Sequence, residues 1–376
     1  MSNLLPNPPT GSTNPSASLS ALWNYIKPAL DHIIRSPTNN LAKAPAVDVS
    51  YHMGIHTALY NYFTTHVSGS SIPPPHDTTA TSTNHTGTPR SSSSSTADQP
   101  PGYDVYDQLD TYFADVAREV LLGAPTDDST LVQYLVPSFI RYSTGAQSIN
   151  RLLNYVNRQY VKRAVDEDKG WLRIGDILSE QVSTAAATEE GAGVHRLDGT
   201  ASHRKIAERM RERRAVELRK WGAPDAGGTV EQLVQAEACA EAASASGRVV
   251  PVLSLAYRRF RTEVLEPLLV VPKAKGEGKE KRKGKRKKKG RDAVANDTVD
   301  AAAVVVPAAD VDNKVASVGP RGRLARAVKE LLESKGEDEE ERNRLASEMA
   351  DMLMRTGVHG DQPLRRRLRR YCVLRL

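Results

Sequence analysis

Helical periodicity is the feature of this sequence that most limits its possible folds. Between Ser148 and Arg163, apolar residues recur at the spacing that places them on one side of an α-helix. Tyr155 and Arg158 lie beside this stripe rather than within it. The segment therefore predicts a helix that is buried on one side and offers aromatic and charged groups on its flank. The stripe consists of Ile149, Leu152, Leu153, Val156 and Tyr160.

Similar apolar stripes recur along the chain and predict an all-α fold. The segment 51–66 has an apolar ladder that ends in the aromatic run Tyr60-Asn61-Tyr62. The longest stripe in the second half of the chain covers 252–269. The other predicted helices cover 22–35, 103–122, 130–142, 324–332 and 345–353.

The formal charge of +7 comes from one tract, 273–291, which holds twelve Lys and Arg residues against two Glu residues. This tract alone carries +10, so the rest of the chain carries −3 (+7 less +10). A segment with so many like charges and so few apolar groups buries too little surface to fold, and we expect it to be disordered.

Three roles stay open for this Lys-rich tract: a nuclear-import signal, an inert insertion, or contact with nucleic-acid phosphates. No aromatic residue is interleaved with the charges, so base stacking is not supported and a nucleic-acid partner is the least favoured role. The import signal would consist of Lys281, Arg282, Lys283, Lys285, Arg286, Lys287, Lys288 and Lys289.

The sequence carries no recognisable motif for catalysis, cofactors or metals. Cys239 and Cys372 are far apart and favour neither a disulfide framework nor a zinc site. His52 and His56 have the spacing of a metal-binding pair on a helix, but no third ligand lies near them in sequence. The sequence therefore predicts a non-enzymatic protein that needs no cofactor or metal.

The pattern of apolar residues also bears on the compartment. No apolar run is long enough to span a membrane, and the first residues lack the basic and apolar regions of a signal peptide. We therefore expect a soluble protein of the cytoplasm and nucleus without a membrane partner.

Two of the predicted helices carry a resemblance to a known family. The segments YHMGIHTALYNYFTTH (51–66) and LLNYVNRQYVKR (152–163) together resemble the second and fifth helices of the first cullin repeat, at the N-terminal end of cullins. Residues 22–35, 102–122 and 130–142 resemble the first, third and fourth helices of the same repeat. The resemblance implies an array of cullin-repeat helical bundles.

The resemblance also implies a domain order that long insertions interrupt. The segment VLSLAYRRFRTEVLEPLL (252–269) resembles the long helix that closes the first repeat. The expected order is a disordered tail (1–18), a first cullin repeat of five helices (19–180) with a disordered linker inside it (68–101), a low-complexity insertion that is partly helical at best (181–250), the closing helix (251–271), a basic disordered insertion (272–320) and the truncated start of a second repeat (321–376).

The function that the resemblance implies is that of a scaffold in a cullin-RING ubiquitin ligase, acting in ubiquitin-dependent protein degradation. In cullins, helices two and five of the first repeat dock a Skp-type adaptor with its F-box protein. The half of a cullin that binds the RING subunit has no counterpart in this sequence, so we expect that partner only if such a half exists. The alternative is a nuclear or nucleic-acid-associated helical protein that acts through its Lys-rich tract. The implied adaptor site consists of His52, Ile55, His56, Leu59, Leu152, Tyr155 and Arg158.

Overall fold

The computed structural model describes residue 5 and residues 14–68, 102–176, 199–224, 229–270, 322–334 and 339–373. Most of the expected tail, the expected linker beyond Ser68, and the whole basic insertion with its import tract lie outside these residues. Within them the fold is all-α, as the periodicity predicted, and extended pairing is limited to two isolated β-bridges. None of the helices in these ranges is long and apolar enough to cross a membrane.

Two of the helices contain a π-helical turn. Helix α5 joins Asn154–Val156, the π-helical turn Asn157–Val161 and Lys162–Asp166 without a break. Helix α8 likewise joins Val252–Phe260, the π-helical turn Arg261–Leu265 and Glu266–Leu269. The other helices are α1 (Leu19–Arg35), α2 (Val49–Ser68), α3 (Tyr103–Leu122), α4 (Leu131–Leu152), α6 (Gly199–Lys220), α7 (Val230–Ala243), α9 (Arg323–Glu333), α10 (Glu339–Arg355) and α11 (Pro363–Val373).

Helices α4 and α8 form the centre of the packing. Helix α4 packs against α1, α2, α5, α8, α9 and α10, and α8 packs against α3, α7 and α9 as well. Phe139 and Tyr142 of α4 each meet Phe260 of α8 with ring centroids 5.1 Å apart. The buried Tyr142 hydroxyl donates a hydrogen bond to the Ala256 carbonyl at 2.9 Å, which satisfies the polar group of this ring.

The structure corrects the helix that the sequence predicted over 148–163. Residues 148–152 belong to α4, which continues well past the predicted end at 142. The chain then bends at Leu153, whose φ of −101° and ψ of 24° are not helical, and α5 begins at Asn154. The predicted stripe stays buried, but its residues come from the ends of two helices.

The segment expected to be a low-complexity insertion, 181–250, contains α6 and α7 in its described part. These helices pack against each other, and α7 also packs against α8 and α10. Leu218, Trp221 and Cys239 belong to the small second core that this contact builds. The described part of this segment is therefore mainly helical, and α7 attaches it to the body of the protein.

Arg258 of α8 holds the end of α7 in place. Its side chain is 2% exposed. The guanidinium donates hydrogen bonds to the Arg248 carbonyl and the Ser244 hydroxyl, both at 2.8 Å, and weaker ones to the carbonyls of Ser246 and Glu241. Burial lowers the pKa of Arg258 below its usual range. A buried cation is stable here because several acceptors surround it.

Candidate functional site

Helix α2 has apolar and aromatic residues on two faces. The first face is part of the main core and packs against α1, α4 and α5. Burial of this side stabilises the helix in the way expected of an amphipathic segment. Its buried residues are Tyr51, Ile55, Ala58, Leu59, Tyr62 and Phe63.

The second side of α2 faces solvent and forms an exposed stripe made of Val49, Met53, His56 and Tyr60. These residues follow at intervals of three or four positions, so they share one face of the helix. Val49, Met53 and Tyr60 are 77%, 57% and 51% exposed. Because the outer face of a helix normally carries charged residues, exposed Val, Met and Tyr side chains in one row make this face the candidate binding surface.

Tyr155 of α5 extends this stripe onto a second helix. Its ring lies edge-on to His56 and Tyr60, with centroids 5.6 and 6.0 Å away, and edge-on to the core residue Phe63 at 5.4 Å. The residue is half-buried. Burial, and in second place the neighbouring Tyr60, raises the pKa of Tyr155. Its hydroxyl is therefore a neutral hydrogen-bond donor at the edge of an aromatic cluster.

The bend at Leu153 and the π-helical turn set the direction of α5 relative to α2. Asn157, the first residue of the turn, donates from its side-chain amide to Asn150 at 2.8 Å. Its side-chain oxygen accepts a hydrogen bond from the Val252 backbone N–H at 2.9 Å. These contacts tie α5 to α4 and α8, so Tyr155 is presented by rigid helices rather than by a loop.

The structure divides the sequence-predicted adaptor site into surface and core. His52, His56 and Arg158 are exposed, and Tyr155 lies at the boundary. The other three residues are core residues: Ile55 and Leu59 are 0% exposed and Leu152 is 5% exposed. A partner could not contact these three residues without opening the core. Their packing instead holds α2 and α4 in position behind the exposed face.

Sequence reasoning passed over Val49 and Met53, and it noted Tyr60 only within an aromatic run. The signal was present in the helical spacing, because these residues repeat in step on a different face of α2 from Ile55 and Leu59. The sequence alone does not show which of the two apolar faces is buried in the core and which is exposed.

The chemistry of this face suits binding. Its apolar surface and tyrosine edges are groups found at the centre of protein interfaces, and its two imidazoles and the guanidinium of Arg158 can make polar contacts. Among the residues that the structure covers, no three His, Cys, Asp or Glu side chains converge where they could hold one metal ion.

Comparison with known proteins gives a partial relationship. No protein-family model matches the chain, and no solved structure matches it. The chain is 24% identical over 158 residues to Cell division control protein 53 of Saccharomyces cerevisiae. This match covers 41% of the chain and spans only 17% of the length of that relative. The comparisons therefore support a distant and partial relationship to cullins.

Proposed function

We propose that this chain is a cullin-like scaffold whose α2–α5 face binds a Skp-type adaptor with its F-box protein. The observation that carries the proposal is the exposed stripe of α2, which Tyr155 continues onto α5. The similarity to Cell division control protein 53 supports the scaffold class. In this role the chain is non-catalytic and contributes to ubiquitin-dependent degradation by holding the adaptor.

The geometry of the face favours a protein partner with an apolar surface. The side chains of Met53 and Tyr60 are exposed to water, while the core-facing residues of the same helix are buried. Covering Met53 and Tyr60 removes apolar area from water at little cost in backbone ordering, because the helix is already fixed by its core side. His56 supplies a polar contact within this area, and the exposed His52 and Arg158 supply others beside it.

The proposal is tested by calorimetric titration of the chain with a purified Skp-type adaptor bound to an F-box protein. Removing central anchors typically costs about 2 kcal/mol or more, roughly a thirtyfold loss of affinity. We expect that loss for the double variant Met53→Ala with Tyr60→Ala. Because both side chains are exposed, the thermal transition followed by circular dichroism should stay unchanged.

A matched control comes from α3. Leu122 is 84% exposed and lies on another helix, so Leu122→Ala removes an exposed apolar side chain without touching the stripe. This variant should bind like the parent. The proposal fails if the parent does not bind the adaptor at micromolar concentration, or if the double variant and the control bind equally.

We also propose that the scaffold works in both cytoplasm and nucleus, with 281–289 as its import tract. The support is the sequence alone: eight Lys and Arg residues in nine positions. Replacing Lys285 to Lys289 with Ser in a fluorescent fusion should shift the protein to the cytoplasm while adaptor affinity stays unchanged. An unchanged distribution would contradict the import role.

A further inference from the structure

Helix α11 has a solvent side that consists almost wholly of arginine. Leu364 and Leu368 are 5% and 0% exposed and hold one narrow side of the helix in the core, where α11 packs against α10. The helix contains no Asp or Glu residue. The remaining circumference is occupied chiefly by Arg365, Arg366, Arg367, Arg369 and Arg370.

These arginines spread over the whole solvent side of α11. Because an α-helix turns by about 100° per residue, Arg366 and Arg370 occupy positions opposite to Leu368, and Arg365 and Arg367 lie on the two flanks. The burial agrees with this placement, since Arg366 and Arg370 are exposed and the two flanking arginines are half-buried. One rigid helix therefore presents positive charge in several directions.

Two carboxylates reach the arginines of α11 from neighbouring segments. Glu333 of α9 lies 3.0 Å from Arg367, and Asp361 of the preceding loop lies 3.6 Å from Arg366. The other three arginines have no ion-pair partner among the residues that the structure describes. The solvent side of α11 thus keeps a surplus of three positive charges.

Helix α10 does not neutralise this surplus. It has a net charge of −2, from five carboxylates and three arginines. Arg344 lies 2.6 Å from Glu341 and 3.1 Å from Glu348, and Arg355 lies 2.8 Å from Asp351, so these carboxylates are occupied on α10 itself. The remaining two are in the first turn of α10. Positive and negative charge are therefore segregated between the two helices.

The crowding of like charges on α11 is unfavourable within the fold. Like charges three or four positions apart on a helix repel each other, and Arg366 has Arg369 and Arg370 at these spacings. Burial lowers the pKa of Arg365, and the positive charge of Arg369 lowers it further. A bound polyanion would relieve this repulsion.

We propose that the arginines of α11 bind double-stranded DNA, with the helix in the major groove and its guanidinium groups on the phosphates. The major groove is about 12 Å wide and admits an α-helix, which then has phosphates on both sides. Guanidinium groups match phosphate oxygens in geometry and charge. Arg365 and Arg367 supply this charge on the two flanks. The surface is separate from the α2–α5 face, so DNA binding here is independent of adaptor binding.

The composition of this side of α11 favours duplex DNA over other polyanions. The centre of a protein interface is apolar, whereas the one apolar residue between Arg365 and Arg370 is the buried Leu368. No aromatic residue lies among the arginines, and single strands need such rings for stacking. Because the apolar side of α11 is buried in the core, it cannot insert into a lipid surface.

The test is the fluorescence anisotropy of a labelled DNA duplex of about 20 base pairs, titrated with the whole chain between about 0.05 and 0.2 M salt. We expect a dissociation constant of about 1–10 μM at the lowest salt. Binding should weaken steeply as salt rises, because each phosphate contact releases counterions from the DNA.

The triple variant Arg366→Gln, Arg369→Gln and Arg370→Gln addresses the site itself. It should weaken binding at least about tenfold at the lowest salt and reduce the slope of log affinity against log salt by about 1 for each arginine. Thermal melts check the fold, and the variant should melt no lower than the parent because like charges are removed. If the triple variant unfolds, the double variant Arg369→Gln with Arg370→Gln decides the matter.

The matched control is the triple variant Lys27→Gln, Arg118→Gln and Arg163→Gln. It removes the same charge from exposed, ion-paired side chains of α1, α3 and α5 and should bind DNA like the parent. Both triple variants keep the Lys-rich tract, so any contribution of that tract to DNA binding is the same in both.

Three results would overturn the proposal. One is the absence of binding by the parent at about ten times the expected dissociation constant. Another is an equal loss of affinity in the two triple variants, which would reveal a general effect of net charge. The last is binding of polyglutamate, duplex RNA or phosphatidylserine vesicles that is as tight as that of DNA and equally sensitive to the α11 variant.

Discussion

The side-chain oxygen of Asn157 accepts a hydrogen bond from the backbone N–H of Val252 at 2.9 Å, so a residue in α5 caps the start of α8. The first N–H groups of a helix have no partner within the helix. Pro251 precedes Val252 and offers no side-chain acceptor. The cap is therefore supplied from another helix, and it couples the direction of α5 to the position of α8.

We expect Asn157→Ala to lower the free energy of unfolding by about 1–2 kcal/mol, because it removes this cap and the bond to Asn150. Urea unfolding measures the change. Asn154→Ala is the matched control, since Asn154 is exposed on the same helix. Equal stability of the two variants would show that the cap contributes nothing.

Arg258→Met should lower stability by about 2 kcal/mol, because the Arg248 carbonyl and the Ser244 hydroxyl would lose their buried donor. Hydrogen exchange should rise locally at the end of α7, since Arg258 is what holds that end. Arg344→Met, which removes an exposed arginine, serves as the control. Unchanged exchange at the end of α7 would count against this role of Arg258.

The Glu241 carboxylate is turned inward to the Ser254 hydroxyl at 2.6 Å, and burial raises its pKa to about 7. The negative charge of Glu237 also raises this pKa. The hydrogen bond from Ser254 and the positive charges of Arg258 and Arg214 lower it, but by less than burial raises it. The folded protein thus binds the proton more tightly than the unfolded chain does. Stability should therefore fall as pH rises from about 4.5 to about 7, and level off above that.

The variant Glu241→Gln removes this titration, so its stability should vary less over the same range of pH. At pH 8 it should exceed the parent by about 2 kcal/mol, because a neutral amide keeps an acceptor for Ser254 without the cost of a buried charge. Urea unfolding at pH 5 and pH 8 measures both effects. A parallel pH dependence of parent and variant would refute the assignment.

The two sides of α2 should respond differently to truncation. Leu59→Ala should destabilise the fold by about 2–5 kcal/mol, since Leu59 is 0% exposed, whereas Tyr60→Ala should change stability by less than about 1 kcal/mol. Thermal and urea unfolding of the two variants decide this. A large loss of stability for Tyr60→Ala would mean that the exposed stripe serves the fold and not a partner.

Periodicity was sufficient to predict the helical class and several helices almost to their ends. The stripe over 252–269 predicted the full extent of α8, and 103–122 predicted α3. Both succeed because a long apolar stripe that is buried on one side favours a helix, and neither segment is interrupted by a bend. Tyr155 was predicted to lie beside the core stripe, and in the structure it is half-buried and its ring lies 5.4 Å from that of the core residue Phe63.

The bend at Leu153 could not be predicted, because the apolar spacing runs through it unchanged from Ile149 to Tyr160. Its cause is tertiary: Leu152 and Leu153 are both buried, and the contacts of Asn157 fix the direction of the next helix.

The attachment of α7 was missed for a different reason. Small alanines pack it closely, and Gly357 lies so near Ala243 that a side chain there would clash with its backbone.

The exposed stripe of α2 has a consequence for the handling of the free protein. Val49, Met53 and Tyr60 stay in water when nothing covers them, so two copies gain free energy by placing these faces together. Light scattering should then rise with concentration, and Met53→Lys should suppress that rise. The surface that we propose for a partner would thus also limit the solubility of the free protein, and production with the proposed adaptor present should remove that limit.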